Sequence, residues 1–71
     1  MSLSEALRRF RKSVKIIQKQ AAEVAGVAER VYQSYEYGKV IPAATVLIAI
    51  ADYFDVSLDY LCGRSDDPAR R

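Results

Sequence analysis

Histidine and tryptophan are absent from this 71-residue chain, cysteine and methionine occur once each, proline twice and glycine three times. Without histidine there is no imidazole to act as a general base or to ligate zinc. A single thiol, Cys62, closes no disulfide within the chain, and that usage fits a reducing compartment. Apart from Arg64 it has no basic neighbour in sequence that would activate a thiolate, so it reads as a small, partly buried filler. The longest apolar run, residues 40–51, contains Pro42 and Thr45 and is too short to span a bilayer. No secretory leader is expected. No carboxylate pair, metal cluster or phosphate-binding loop stands out, so neither catalytic nor metal-binding residues are assigned and no cofactor is expected.

What remains suits a small helical domain. Seventy-one residues make one domain that buries roughly 60% of its unfolded surface, a size that helical folds manage through local contacts. Apolar residues make up 51% of the chain, enough for a core. Net charge is only +2, but it is unevenly spread. Residues 1–40 hold eight lysines and arginines against four glutamates, whereas residues 41–71 hold three arginines against five aspartates. The basic half agrees with a polyanionic partner on one side, although many ordinary surfaces look alike.

The stretch Gln18 to Lys39 organises the rest. Gln18 to Ala25 is composed of helix formers, Gly26 interrupts, Glu29 to Glu36 is helical again, and Gly38 closes it. Helix, glycine turn, helix is a helix-turn-helix, whose second helix enters the major groove in DNA-binding cases. Ala21, Ala22 and Ala25 form a small-residue face on the first of these helices; Val27, Val31 and Tyr35 continue at helical spacing. Before this unit, Leu7, Phe10 and Val14 form an apolar stripe on a helix for which Ser4 is the expected cap, with Glu5 in the first turn. After it, Pro42 suits a helix start, and Val46, Leu47, Ile50, Ala51 and Phe54 form an apolar face that leaves Ile48 and Tyr53 outside. Asp55 ends that helix. Ser57 caps a last short one, from which Leu58 and Leu61 pack back on the core before Gly63. The predicted fold is all-α, a compact bundle of five short helices over residues 1–63, with 64–71 a polar tail or the start of a linker.

Gln18, Ala22, Gly26-Val27 and Tyr35-Glu36-Tyr37-Gly38-Lys39, followed by Pro42 and by Val56-Ser57-Leu58-Asp59-Tyr60-Leu61-Cys62-Gly63, together resemble the Cro/repressor-type (XRE-type, lambda-repressor-like) helix-turn-helix family. The resemblance covers about residues 4–63; each motif alone is weak, but their order and spacing are specific. It implies a lambda-repressor-like bundle with helices 2 and 3 as the reading unit. It also implies that Arg11 pairs with Glu36, tying the first helix to the third and placing the arginine near a phosphate. The chain departs from the family at several points. Ile17 and Ala28 stand where Ser or Thr caps are usual, Ala21 replaces a leucine, Tyr32 a smaller aliphatic and Tyr37 an asparagine. Ala21 and Tyr32 are expected to compensate in volume.

On the second helix of the unit, about 29–36, Glu29, Arg30, Gln33 and Ser34 fall on the outward face and are the candidate base readers. Arginine bonds guanine bidentately, glutamine does so with adenine, and glutamate accepts from cytosine N4. Glu29 near phosphates either reads cytosine or penalises other bases. The plain alternative is a solvated polar face, since any soluble helix has one. Candidate phosphate contacts are Gln18 at a helix N-terminus, Arg11, Tyr37 and Lys39. The reading is a bacterial, cytoplasmic transcriptional regulator, a repressor, that binds a pseudo-palindromic double-stranded DNA operator as a homodimer. Ile48, Tyr53 or Tyr60 are its candidate dimer contacts. The competing reading is a protein-interaction module on the same fold, favoured by the missing caps, Tyr32, Tyr37 and the low net charge.

Overall fold

The computed structural model describes residues 1–69, and among these the fold is five helices with no strand: α1 Leu3–Ser13, α2 Gln18–Ala25, α3 Glu29–Glu36, α4 Ala44–Phe54 and α5 Leu58–Leu61. The bounds of α2 and α3 follow their glycines. Gly26 ends α2 in the left-handed conformation (φ 76°), and the Val27 N–H reaches back to the Ala22 carbonyl at 3.1 Å. Gly38 (φ 75°) turns the chain after α3, where the Lys39 N–H donates to the Ser34 carbonyl at 3.0 Å.

Two helix starts differ from the sequence reading. The cap of α1 is Ser2, not Ser4. Its Oγ accepts from the Glu5 N–H at 3.3 Å while Glu5 Oε1 accepts from the Ser2 N–H at 3.0 Å, a reciprocal box that Ser4 has no partner to form. Those bonds from Ser2 hold the exposed Glu5 carboxyl below its usual range. Pro42 does not open α4 either. It lies buried two residues before Ala44, and Ala43, which has no capping side chain, is the N-cap. The cap expected to be missing before α2 is missing, because Ile17 offers no acceptor; the Gln20 side chain instead accepts from the Ile17 N–H at 3.0 Å. Ala28 likewise leaves α3 without a side-chain cap, and Glu29 sits in its first turn.

The core gathers Leu7 and Phe10 of α1, Ala21, Ala22 and Ala25 of α2, Tyr32 and Tyr35 of α3, Ile50 and Ala51 of α4 and Leu61 of α5. The three alanines let α3 lie close across the turn. Ala21 and the buried Tyr32, expected to compensate in volume, line the same small gap together with Phe10 and Ile50, a cavity of about 10 Å³. Phe10 is the aromatic junction, edge-on to Phe54 at 5.2 Å and to Tyr60 at 6.1 Å. Tyr60 is therefore packed on the core rather than displayed, whereas Ile48 and Tyr53 are exposed as expected. Leu58 is corrected in the opposite sense, since it stays 41% exposed while Leu61 is sealed.

Ser57 caps α5 by accepting from the Tyr60 N–H at 3.0 Å. The Ser57 N–H in turn donates to the Pro68 carbonyl at 3.0 Å, so residues 65–68 lie back against this end of the helix. Arg70 and Arg71 of the predicted tail lie outside the described residues. Cys62 is half-buried, and burial, then Asp59, push its thiol up, which fits its assignment as filler. No helix among the described residues is long and apolar enough to cross a membrane.

Truncating sealed Leu61 to alanine is expected to cost about 2–5 kcal/mol in urea unfolding. The 84%-exposed Ile41 should change stability by no more than about 0.5 kcal/mol when replaced by alanine.

Candidate functional site

A charged side chain is expensive to bury, and α3 buries one. Glu36, on the last turn of α3, is 1% exposed. Every approach to its carboxylate is occupied by a donor. Arg11 Nε of α1 lies 2.7 Å from Oε2 and Arg11 Nη2 lies 3.2 Å from Oε1, a two-pronged pair. Gln18 Nε2 of α2 lies 3.2 Å from Oε1. The Tyr32 hydroxyl, one turn back on α3, donates to the same carboxylate. Burial pushes the Glu36 carboxyl up, but the bonds from Arg11, Tyr32 and Gln18 outweigh it and the net shift is downward. Arg11 is correspondingly raised by its bond to Glu36. Burial, then the bond to Glu36, push the Tyr32 phenol up, so it stays a donor.

The Arg11–Glu36 pair is thus formed as the family resemblance implies. Arg11 is also committed elsewhere: its Nη1 donates to the Ile16 carbonyl at 3.0 Å, which staples the link between α1 and α2. From Glu36 the network runs outward. Gln18 passes its carbonyl oxygen to Gln33 Nε2 at 3.1 Å, so one predicted phosphate contact and one predicted base reader are joined across the turn. Gln33 is half-buried by this arrangement, while Glu29 and Arg30 on the preceding turn are exposed. Ser34 is half-buried, and its hydroxyl proton is used within α3, on the Val31 carbonyl at 2.6 Å; its oxygen remains as an acceptor. Tyr37 and Lys39 are exposed at the exit of α3.

Sequence reasoning placed Gln18 and Gln33 separately and gave Tyr32 a packing role alone. Its hydroxyl on Glu36 and the Gln18–Gln33 contact were missed. Gln18 and Gln33 are 15 positions apart and Tyr32 and Glu36 four, and neither contact follows from the apolar spacing that located the helices. Among the described residues no group of three or more metal-ligating side chains comes together.

A second helix presented after a glycine turn, with long polar side chains outward and its far end anchored to α1, is the architecture of a helix-turn-helix reader. The chain belongs to the helix-turn-helix family, whose profile matches residues 7–61. It is 39% identical over 64 residues to the HTH-type transcriptional regulator YobD of Bacillus subtilis and 38% identical over 64 to the phage CTXphi transcriptional repressor RstR of Vibrio cholerae. In each case the match takes in 90% of this chain and 57% of the relative, so the chain spans little more than half their length. In structure it is similar to the P22 c2 repressor in complex with a synthetic operator, with a TM-score of 0.78, 26% identity and coverage of 92% of this chain and 98% of that one.

Removing the Glu36 carboxylate strands Arg11 and the Tyr32 hydroxyl, and Glu36→Ala is expected to cost roughly 3–5 kcal/mol. The pH dependence has a definite sign. The folded-state pKa lies below the ordinary 4.5, so the stability due to ionised Glu36 is fully present above about pH 4.5 and is lost as pH falls through the lower folded value. Urea midpoints of the wild type and Glu36→Gln, measured from about pH 7 down to about pH 3, should therefore converge at the acid end.

Proposed function

We propose that this chain is the sequence-specific, double-stranded-DNA-binding part of a bacterial transcriptional regulator acting as a repressor, with α3 in the major groove. The observation that carries this reading is the presentation of α3. Glu29 and Arg30 project freely, Gln33 is braced by Gln18, and the helix is anchored behind by Glu36. Similarity to a repressor bound to its operator and to proteins named as transcriptional regulators supports it.

Base edges are read by Glu29, Arg30, Gln33 and the acceptor oxygen of Ser34. Lys39 and Tyr37, exposed beyond the C-terminus of α3, meet phosphates, as does Gln18 at the N-terminus of α2. Arg11, whose guanidinium is held by Glu36 and the Ile16 carbonyl, offers phosphate only its remaining N–H groups. Residues 1–63 form the DNA-binding domain and 64–71 begin a linker. One such domain covers one half-site, so the working form is a homodimer on a pseudo-palindrome with half-sites about 34 Å apart. Exposed Ile48 and Tyr53 are its contact candidates; Tyr60 is half-buried against Phe10. The protein works in the cytoplasm.

Selection of bound duplexes from a random pool, then a salt titration on the winner, tests this. A pseudo-palindrome should be enriched, and its log affinity should fall with log salt at roughly 0.9 per phosphate contacted. Arg30→Ala or Gln33→Ala should cost about 1–3 kcal/mol on that site and relax specificity, whereas Lys39→Ala should weaken all sequences alike. No enrichment together with unchanged affinity in all three variants would favour a protein-interaction role for this face.

A further inference from the structure

Gln33 ends in an amide with two chemically opposite sides, an acceptor oxygen and a donor nitrogen. A glutamine free to rotate can turn the oxygen toward the amino groups of adenine or cytosine, or the nitrogen toward guanine O6 and N7. Here the interior of the domain removes that freedom. Glu36 is buried, paired with Arg11 and ionised, so both of its oxygens only accept. The end of Gln18 lying 3.2 Å from Glu36 Oε1 must therefore be its amino group. The Gln18 carbonyl oxygen is left facing Gln33, and the Gln33 atom 3.1 Å away must donate. One N–H of Gln33 is spent in this way. Its second N–H and its carbonyl oxygen stay available, and they lie side by side on one edge of the amide when the hydrogen given to Gln18 is the one turned away from the carbonyl. Turning Gln33 over would set oxygen against oxygen; turning Gln18 over would set oxygen against a carboxylate.

We infer that Glu36, which has almost no exposed surface to offer DNA, is a positioning residue that sets the base taken by Gln33. By orienting the chain Glu36–Gln18–Gln33 it leaves Gln33 one acceptor beside one donor. That pair matches adenine, which presents N6–H beside N7, and mismatches guanine, which presents O6 and N7, both acceptors. The inference rests on the DNA-reading function proposed above and specifies one base contact within it.

Duplex selection on the wild type, Gln33→Ala, Glu36→Gln and Gln18→Met tests it. The wild type is expected to favour adenine over guanine by about 5- to 150-fold at one position of each half-site, and Gln33→Ala should level that position. Glu36→Gln can point an amino group at Gln18, which lets both amides reverse. The adenine preference should then fall while the other positions hold. Because that variant also weakens the Arg11 pair, Gln18→Met provides the second arm. It keeps Arg11 on Glu36 but unclamps Gln33; besides a uniform loss of affinity from the Gln18 phosphate contact, the same single position should relax. Adenine preference unchanged in both variants, with a uniform loss of affinity for every sequence, would overturn the inference and leave Glu36 as a strut. A Gln33-dependent position that prefers guanine would overturn it too. If the wild type selects no sequence at all, the DNA-reading function itself falls. That failure is distinguishable, because no Gln33-dependent position then exists.

Discussion

One carboxylate holds the first three helices in register. Glu36 of α3 accepts from Arg11 of α1, from Gln18 of α2 and from Tyr32 one turn away on its own helix. A buried charge is tolerated only when its donors are nearly all in place, since each missing bond leaves desolvation uncompensated. The three helices must therefore sit where all these bonds form together, and small rigid displacements are penalised more sharply than in an apolar contact. Arg11 extends the constraint to the Ile16 carbonyl, which fixes the connection between α1 and α2 as well.

The apolar half of the molecule complements this polar clamp. Three alanines on α2 let α3 approach closely, and buried Tyr32 lines the same small gap as Ala21. The same ring delivers its hydroxyl to Glu36, so one side chain serves both the packing and the ion pair. On the far side, Phe10 gathers Phe54 and Tyr60 edge-on, which seats α4 and α5 against α1. The outer face of α3 is left with no packing duty at its first turn, where Glu29 and Arg30 stand in solvent.

Much of this was legible in the residues themselves. Gly26 and Gly38 punctuate the chain so sharply that the bounds of α2 and α3 read straight from the sequence, and the apolar spacing of α4 identified its inner face. The errors have local physical causes. Ser2 and Ser4 are equally good caps in isolation; Glu5, three positions after Ser2 and adjacent to Ser4, decides between them. Pro42 resembles a helix opener, but its ring is buried in the approach to α4, and the helix starts after Ala43. Leu58 and Tyr60 exchanged their expected exposure because a four-residue helix has too little length for periodicity to orient it. Of the site, residue types and helix were readable, and the Arg11–Glu36 pair came from the family pattern. The inner wiring through Gln18, Gln33 and the Tyr32 hydroxyl was not, because it depends on how two helices face each other across a turn.

The paired occupancy of positions 21 and 32 also bears on how such domains exchange parts. A recognition helix is often imagined as a cassette, lifted from one relative and set into another to transfer its binding preference. In this chain α3 carries Tyr32 inward, where it lines the same small gap as Ala21 on α2. A donor helix with a short aliphatic at position 32 would leave a hole above Ala21, and α3 moved into a host with leucine at position 21 would collide with it. The unit of inheritance here is the pair of helices, and the outward letters of α3 travel intact only when position 21 travels with them.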